Sequence, residues 1–286
     1  MHSVAVTIPG GLASEGRWYR DARLNPLTGR DEEFLLDEGR WLSPAARVTE
    51  LLARCLDRLG PVQPVDADTV RQLSVGDRES LLLHLRRITL GERLACVLQC
   101  PACEKKMDLD LSVTELILPP YPHQTRFHES AIADGDASYR VVFRTPNGED
   151  QEAAAALVGE SVATAADLVL RRCVSAIATA GGEAIEGVPD AVRRALPARM
   201  AELDPQAEVL LDLTCPECAT QFIVPFDIAD YLFKEIATQE RDFYRGVHWL
   251  SIHYHWDEDT ILKLGRRKRQ IYLELLADEM SGSGRS

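Results

Sequence analysis

The chain has 286 residues, with 32 Lys or Arg against 45 Asp or Glu and a formal net charge of −13. This length suits one large domain or two to three small ones, and 45% apolar with 27% charged residues is a globular composition rather than a disordered one. The acidic balance argues against a sequence-independent phosphate binder. No apolar run approaches the ~18 residues that cross a bilayer, and residues 1–11 lack a signal-peptide pattern, so a cytosolic protein with no membrane partner is expected.

Residues 1–44 read as a loop-rich N-terminal segment, because Gly10-Gly11, Asn25-Pro26 and Thr28-Gly29 are turn signals. From Pro44, the residues Val48, Leu51, Leu52, Cys55, Leu56 and Leu59 recur at three- and four-residue spacing, which predicts a helix stopped by Gly60-Pro61. A second predicted helix starts near Ser74 or Asp77, carries Leu81, Leu82, Leu85 and Ile88, and stops at Gly91. The period then changes to two. Leu94, Cys96 and Leu98 alternate before Cys100-Pro101-Ala102-Cys103, and Met107, Leu109 and Leu111 alternate after it, so this CPxC sits at the tip of a predicted β-hairpin. Cys215-Pro216-Glu217-Cys218 is built alike, with Val209, Leu211 and Leu213 before it and Phe222, Val224 and Phe226 after it. The chain thus carries an internal repeat of strand–CPxC–strand, with 111 residues between Cys103 and Cys215.

Between the hairpins, Pro119-Pro120-Tyr121-Pro122 breaks the chain, and residues 139–145 form a predicted strand closed by Pro146-Asn147-Gly148. Helices are expected over 153–158, over 163–180 with Gly181-Gly182 as the stop, and over about 189–203, where Pro197 can bend the helix. Beyond residue 228 the pattern is helical again, with Tyr231, Leu232, Ile236 and Phe243 on the apolar face. Asp257 is a predicted N-cap for 258–264, Gly265 its stop, and 266–277 a final helix. The expected fold class is α+β: mostly helical, with two CPxC hairpins forming a split four-cysteine zinc ribbon that brackets an α/β insertion. Residues 1–91 then form the N-terminal region, 92–112 with 207–228 the ribbon, 113–206 the insertion with one or two strands, 229–280 a helical C-terminal region, and 281–286 a disordered tail.

An odd count of seven cysteines without a signal sequence is a poor disulfide framework. Cys100, Cys103, Cys215 and Cys218 are instead the predicted ligands of one structural Zn²⁺ ion. Each C-x2-C knuckle supplies two thiolates from a tight turn, and two knuckles complete a tetrahedron. Lys105 and Lys106 add a positive field that favours thiolate. Such a closed site has no open position at which to activate water, so its role is structural. Two features pull the other way. The separation exceeds the usual spacing between knuckles, and Glu104 and Ala219 stand where a knuckle often has Gly. A redox C-x-x-C would open a helix, whereas strand-like alternation follows both pairs here. Cys55, Cys96 and Cys173 lie on apolar faces and read as small buried hydrophobes.

Other clusters read as structural. His248, His253 and His255 near Asp257, Glu258 and Asp259 have spacing that suits capping and packing better than a metal or acid–base site. Arg266-Arg267-Lys268-Arg269 reads as a solvated helix face, or else as a contact for an acidic partner or nucleic acid, of which the net charge favours a partner protein. There is no G-x-x-x-x-G-K-[ST], no helix-opening G-x-G-x-x-G, no nucleophile elbow around Ser161, and no second His after His128-Glu129. The expectation is a protein that is not an enzyme.

The order of segments resembles the T-even-type phage baseplate hub assembly chaperone family of contractile-tailed phages and related injection systems. The resembling pieces are Leu24-Asn25-Pro26-Leu27-Thr28-Gly29-Arg30-Asp31-Glu32-Glu33, Asp77-Arg78-Glu79 leading into residues 81–90, and the first CPxC hairpin. Leu203-Asp204-Pro205 before the second hairpin and Tyr254-His255-Trp256 followed by residues 266–276 complete the set. The sequence departs from the family in lacking Gly after each knuckle and in residues 125–137. The resemblance implies a non-enzymatic assembly factor or component of the baseplate hub, with hub or spike proteins as partners. It would act in the bacterial cytosol and either leave the particle or stay in it. The alternative is a zinc-ribbon nucleic-acid-binding or transcription-associated protein, which the net charge disfavours.

Overall fold

Residues 3–135, 137–159 and 161–282 are described by a computed structural model. Strands β1 (Val4–Ser14) and β2 (Arg17–Leu24) form an antiparallel hairpin, and helix α1 (Gly29–Leu36) follows. The N-terminal segment is therefore strand-rich, not loop-rich. Gly10-Gly11 does not end β1; it falls where the register shifts between Thr7 and Leu12. Such an irregularity bends a strand without terminating it, and Val6, Ile8 and Leu12 all stay buried.

Helix α2 (Pro44–Cys55) starts on Ser43, whose side chain accepts from the Ala46 N–H, and runs directly into β3 (Leu56–Leu59), which pairs with β2. The helix expected to reach Gly60 thus ends at Cys55. No Gly or Pro separates helix from strand, and Leu56 and Leu59 fit either period. Helices α3 (Ala67–Gln72) and α4 (Val75–Leu90) complete the first core, where Ile8 and Leu24 meet Leu51, Leu52, Leu81, Leu82 and Leu85. The first cysteine hairpin, β4 (Arg93–Gln99) and β5 (Lys106–Ser112), leads into the one-turn α5 (Val113–Leu116).

The chain then repeats this plan. Strands β6 (His128–Asp134) and β7 (Ala137–Phe143) form a hairpin, followed by α6 (Gly148–Val158). Helix α7 (Val162–Cys173) starts on Ser161 and runs directly into β8 (Val174–Thr179), which pairs with β7. The helix expected over 163–180 is cut at Cys173 for the same reason as its predecessor. Then come α8 (Asp190–Leu203), a 3-10 turn at Pro205–Ala207, the hairpin β9 (Val209–Thr214) and β10 (Gln221–Phe226), and α9 (Ile228–Ala237).

The correspondence reaches single hydrogen bonds. The Asn25 N–H donates to the Cys55 carbonyl at 2.8 Å, and the Arg144 N–H to the Cys173 carbonyl at 3.0 Å. Thr28 caps α1 and Asn147 caps α6, and in each the acid three residues on, Asp31 or Asp150, accepts from the cap's own N–H at 2.8 and 3.0 Å. Residues 4–116 and 128–237 are therefore two units of one design. The stretch read as an insertion is the body of the second unit, with three strands rather than one or two. The second unit has its own core around Val141, Phe143, Leu170, Cys173 and Val192, while its last helix, α9, packs Ile228, Leu232 and Ile236 into the core of the first.

Helices α10 (Glu240–Tyr254), α11 (Glu258–Leu262) and α12 (Arg266–Gly282) form a third cluster around Val247, Leu250, Ile261 and Leu276. Two side chains of the basic run dock this cluster on α1: Arg269 donates to Glu32 Oε1 at 2.6 Å and Arg266 to Oε2 at 3.1 Å. The run is thus half consumed inside the molecule, because Glu32 is buried and a buried carboxylate needs cationic partners. Ser281 and Gly282, expected in the tail, belong to α12; residues 283–286 lie outside the described residues. The molecule is a mixed α/β fold with more helix than strand. No helix among the described residues is long and apolar enough to cross a membrane.

Candidate metal centre

The two hairpins fold their tips identically. Cys100 N–H donates to the Lys105 carbonyl at 2.9 Å and Glu104 N–H to the Cys100 carbonyl at 3.0 Å; Cys215 N–H donates to Thr220 and Ala219 N–H to Cys215, both at 2.9 Å. Glu104 at φ 57° and Ala219 at φ 58° both adopt the left-handed conformation. The turn that knuckles usually build with Gly is built here without it, at the cost of Cβ crowding.

The tips converge. Cys100 Sγ lies 3.7 Å from Cys218 Sγ, and Cys103 Sγ lies 3.7 Å from Cys215 Sγ. All four sulfurs fall within 4.8 Å of one another. A tetrahedral ion with metal–sulfur bonds of ~2.3 Å has sulfur–sulfur edges of ~3.8 Å, whereas a disulfide needs ~2.0 Å. The spacing therefore fits a shared metal ion and no disulfide. Each unit gives one buried sulfur residue, Cys100 and Cys215, while Cys103 is half-buried and Cys218 exposed.

The electrostatics fit a cation as well. Backbone N–H groups of Cys103 and Ala102 pull the Cys100 thiol down. The side chain and N–H of Thr220 bring Cys218 down to about 6. Cys103 goes the other way: its bond from the Lys105 N–H is outweighed by desolvation and the three neighbouring thiols, which push it up to about 12. Four thiolates cannot crowd together uncompensated, and a divalent ion would supply the missing charge. Among the described residues, these cysteines are the one group of three or more His, Cys, Asp or Glu side chains arranged to hold a metal ion.

The other sequence candidates stay apart. Cys55 and Cys173 are buried core thiols, held up by desolvation, Cys173 to about 12. Cys96 is half-buried on β4 and outside the cluster. His253 stacks on Trp249 with ring centroids 5.3 Å apart, and Asp257 caps α11 by accepting from the Thr260 N–H at 2.6 Å.

A family model for T4 bacteriophage base plate protein matches residues 12–234. The chain belongs to this family. The match runs from β1 into α9, so it takes in both units and both cysteine hairpins and leaves α10–α12 beyond it. No curated protein and no solved structure matches. Family membership makes this a phage baseplate-related protein and points to other baseplate proteins as its partners.

One polar site in this base plate protein escapes a residue-by-residue sequence reading. Asp77, fully buried, accepts from the N–H groups of Gly10 at 2.7 Å and Gly11 at 2.9 Å. Its neighbour Gly76 donates to Asp204 at 3.0 Å, and Asp204 also accepts from the Tyr121 hydroxyl at 2.7 Å. The cluster joins the first unit, the 117–127 connection and the second unit. Desolvation raises both carboxyls, Asp77 to about 7, against the pull of these N–H donors. Asp-Pro after a helix and Asp at the third position of another were the only local signs of it.

Proposed function

We propose that this chain is a non-enzymatic, zinc-stabilised assembly chaperone or component of the baseplate hub of a contractile tail or injection system, acting by protein–protein binding. The observation that carries the reading is the cysteine cluster, with one thiol pair from each unit. A shell of four thiolates around one tetrahedral ion leaves no coordination position for water or substrate, which supports a structural ion rather than a catalytic one. All-sulfur ligation suits zinc over the harder magnesium or calcium. Cys100, Cys103, Cys215 and Cys218 would hold one ion per chain. The protein then works in the bacterial cytosol during assembly, and it touches hub or spike proteins.

Two measurements test this reading. Metal analysis of purified protein should give one zinc per chain and four thiols that react only after chelation. Deleting the gene should reduce the number of complete particles, with hub or spike subunits left unassembled. Normal particle numbers after deletion would reject the assembly role, and four freely reactive thiols without metal would reject the zinc.

A further inference from the structure

One docking joint occurs twice in the molecule. Asp66 caps α3 by accepting from the Thr69 N–H at 2.8 Å, and Asp257 caps α11 by accepting from the Thr260 N–H at 2.6 Å. After each turn a leucine carbonyl is used: Leu73 accepts from the Gly148 N–H at 3.2 Å, and Leu264 from the Gly29 N–H at 3.1 Å. Ser74 bridges to Asn147, and Gly265 to Thr28. Arg78 and Arg269 then lie against Gly148 and Gly29, where a Cβ would collide with either guanidinium. The spacing Asp-x2-Thr-x3-Leu-x4-Arg is the same in both. Helices α3 and α4 of the first unit thus dock on the cap of α6 in the second, and α11 and α12 dock in the same way on the cap of α1.

The two copies are held differently. On α4, Asp77, Ser80, Leu81, Leu82, His84 and Leu85 are all buried, so that joint is locked into the first core. The matching positions of α12 are Lys268, Ile271, Tyr272, Leu273, Leu275 and Leu276. Of these only Leu276 is buried, and Ile271 and Leu275 are 46% and 48% exposed. The core around Val247, Leu250, Ile261 and Leu276 joins α10–α12 to one another, and Phe243 packs on both that core and the first. The ties from α11 and α12 to α1 include the Gly29–Leu264 bond, Arg30 on Asp259, and Arg266 and Arg269 on Glu32. A cavity of about 280 Å³ lies between these helices and the body, lined by Glu32, Leu36, Ile236, Phe243, Arg266 and Leu273.

We propose that α10–α12 is a releasable arm: it comes off α1 as one body, with both unit cores closed, and uncovers the Thr28–Glu32 segment as a docking site for a partner protein. The chemistry of the site sets what can fill it. Glu32 is 3% exposed, and among the described residues its carboxylate is bonded only by Arg266 and Arg269 of the arm. Any occupant that covers Glu32 must therefore bring a cation, and it must offer an acceptor to the Gly29 N–H. The occupant is a helix start of the partner with a free carbonyl and, five residues on, an arginine, as Leu264 and Arg269 are placed. A partner protein as occupant rests on the protein–protein role proposed above. The release does not, and neither test below depends on metal content or particle number.

Hydrogen exchange of the full chain tests the release. Amides of α10–α12 should exchange together, about tenfold or more faster than those of α4, β2 and β7. Arg269→Gln should speed up the arm alone, by about tenfold again. The site is tested with a fluorescent peptide of residues 255–276, read by anisotropy. It should bind the Arg269→Gln chain about tenfold more tightly than the wild-type chain, whose own arm competes. Changing Arg269 to Gln in the peptide, or adding Glu32→Gln to the chain, should remove that gain. Exchange of α10–α12 only together with the cores would overturn the release, and the wild-type chain shows this even where a variant fails to fold. Equal binding to the wild-type and Arg269→Gln chains, or by the altered peptide, would overturn the docking site. A wild-type dimer that Glu32→Gln abolishes would overturn the partner protein as occupant, because a second copy would then fill the site.

Discussion

Glu104 and Ala219 show how far a single backbone requirement reaches. Both hold a left-handed conformation in turns whose hydrogen bonds match bond for bond. A Cβ in that region costs about 1–2 kcal/mol, while glycine loses about 0.5–1 kcal/mol of chain entropy on ordering. The difference favours glycine. Glu104→Gly and Ala219→Gly should each stabilise their hairpin tip by roughly 0.5–1 kcal/mol. The measurement is the rate at which a chelator strips the metal, which should fall about two- to fivefold in each variant. Ala219→Gly is the cleaner probe, because alanine brings no side-chain contacts of its own. Faster release from it would mean that the turn is not strained by the residue it has.

At the scale of elements, the two cysteine hairpins were legible because period-two alternation is a local property, and the thiol pairs at their tips announce the site. Helices α2 and α4 were legible through their apolar spacing at three and four residues. What failed was the transition between periods: β3 and β8 each follow a helix with no breaking residue, and apolar side chains at the junction satisfy both patterns. The repeat beyond the hairpins was hidden for another reason. The units share caps, acids and backbone bonds rather than an apolar sequence. The pairing of Glu32 with Arg269 was invisible because the two lie 237 residues apart. The start of α4 illustrates what such non-local contacts do. Asp77 is raised to about 7 by burial, Asp204 is raised by burial, and Glu79 is raised to about 8 by burial and by Asp227. In the unfolded chain these carboxyls ionise near pH ~4, so between there and pH 7–8 the folded state holds more protons. Their contribution to stability is complete below the unfolded values and is lost as pH rises through the folded ones. Urea midpoints of metal-loaded protein should therefore fall from pH 6 to pH 8.5, and less steeply in Asp77→Asn. An equal fall in the variant would remove Asp77 from the account.

For the whole molecule, ties of several kinds join the two units, and among them are the Thr49 and Arg71 side chains on Glu152 and the Val75 N–H on the Pro146 carbonyl. Helix α9 lies in the first core, the Asp204–Gly76–Tyr121 joint is buried, and the cysteine cluster takes one pair from each side. These ties do not support the same structure. The cluster holds only the tips of two-stranded hairpins, whose outward positions, such as Val97 and Ile223, are exposed at 60% and 63%. A two-stranded hairpin is marginal by itself, whereas each three-stranded sheet packs on its own helices in a closed core. Metal removal should accordingly melt the tips and spare the cores. Hydrogen exchange after chelation should speed up by orders of magnitude across residues 95–110 and 209–225, while amides of β2 and β7 keep their protection. Cys215→Ser should reproduce that pattern without any chelator, because removing one thiolate opens the shell. Simultaneous loss of protection in both sheets would show that the ion holds the entire fold and that the units do not stand on their cores. The local outcome would instead separate the two jobs of the sequence: the duplicated cores carry the fold, and the metal fixes how their two hairpins face each other.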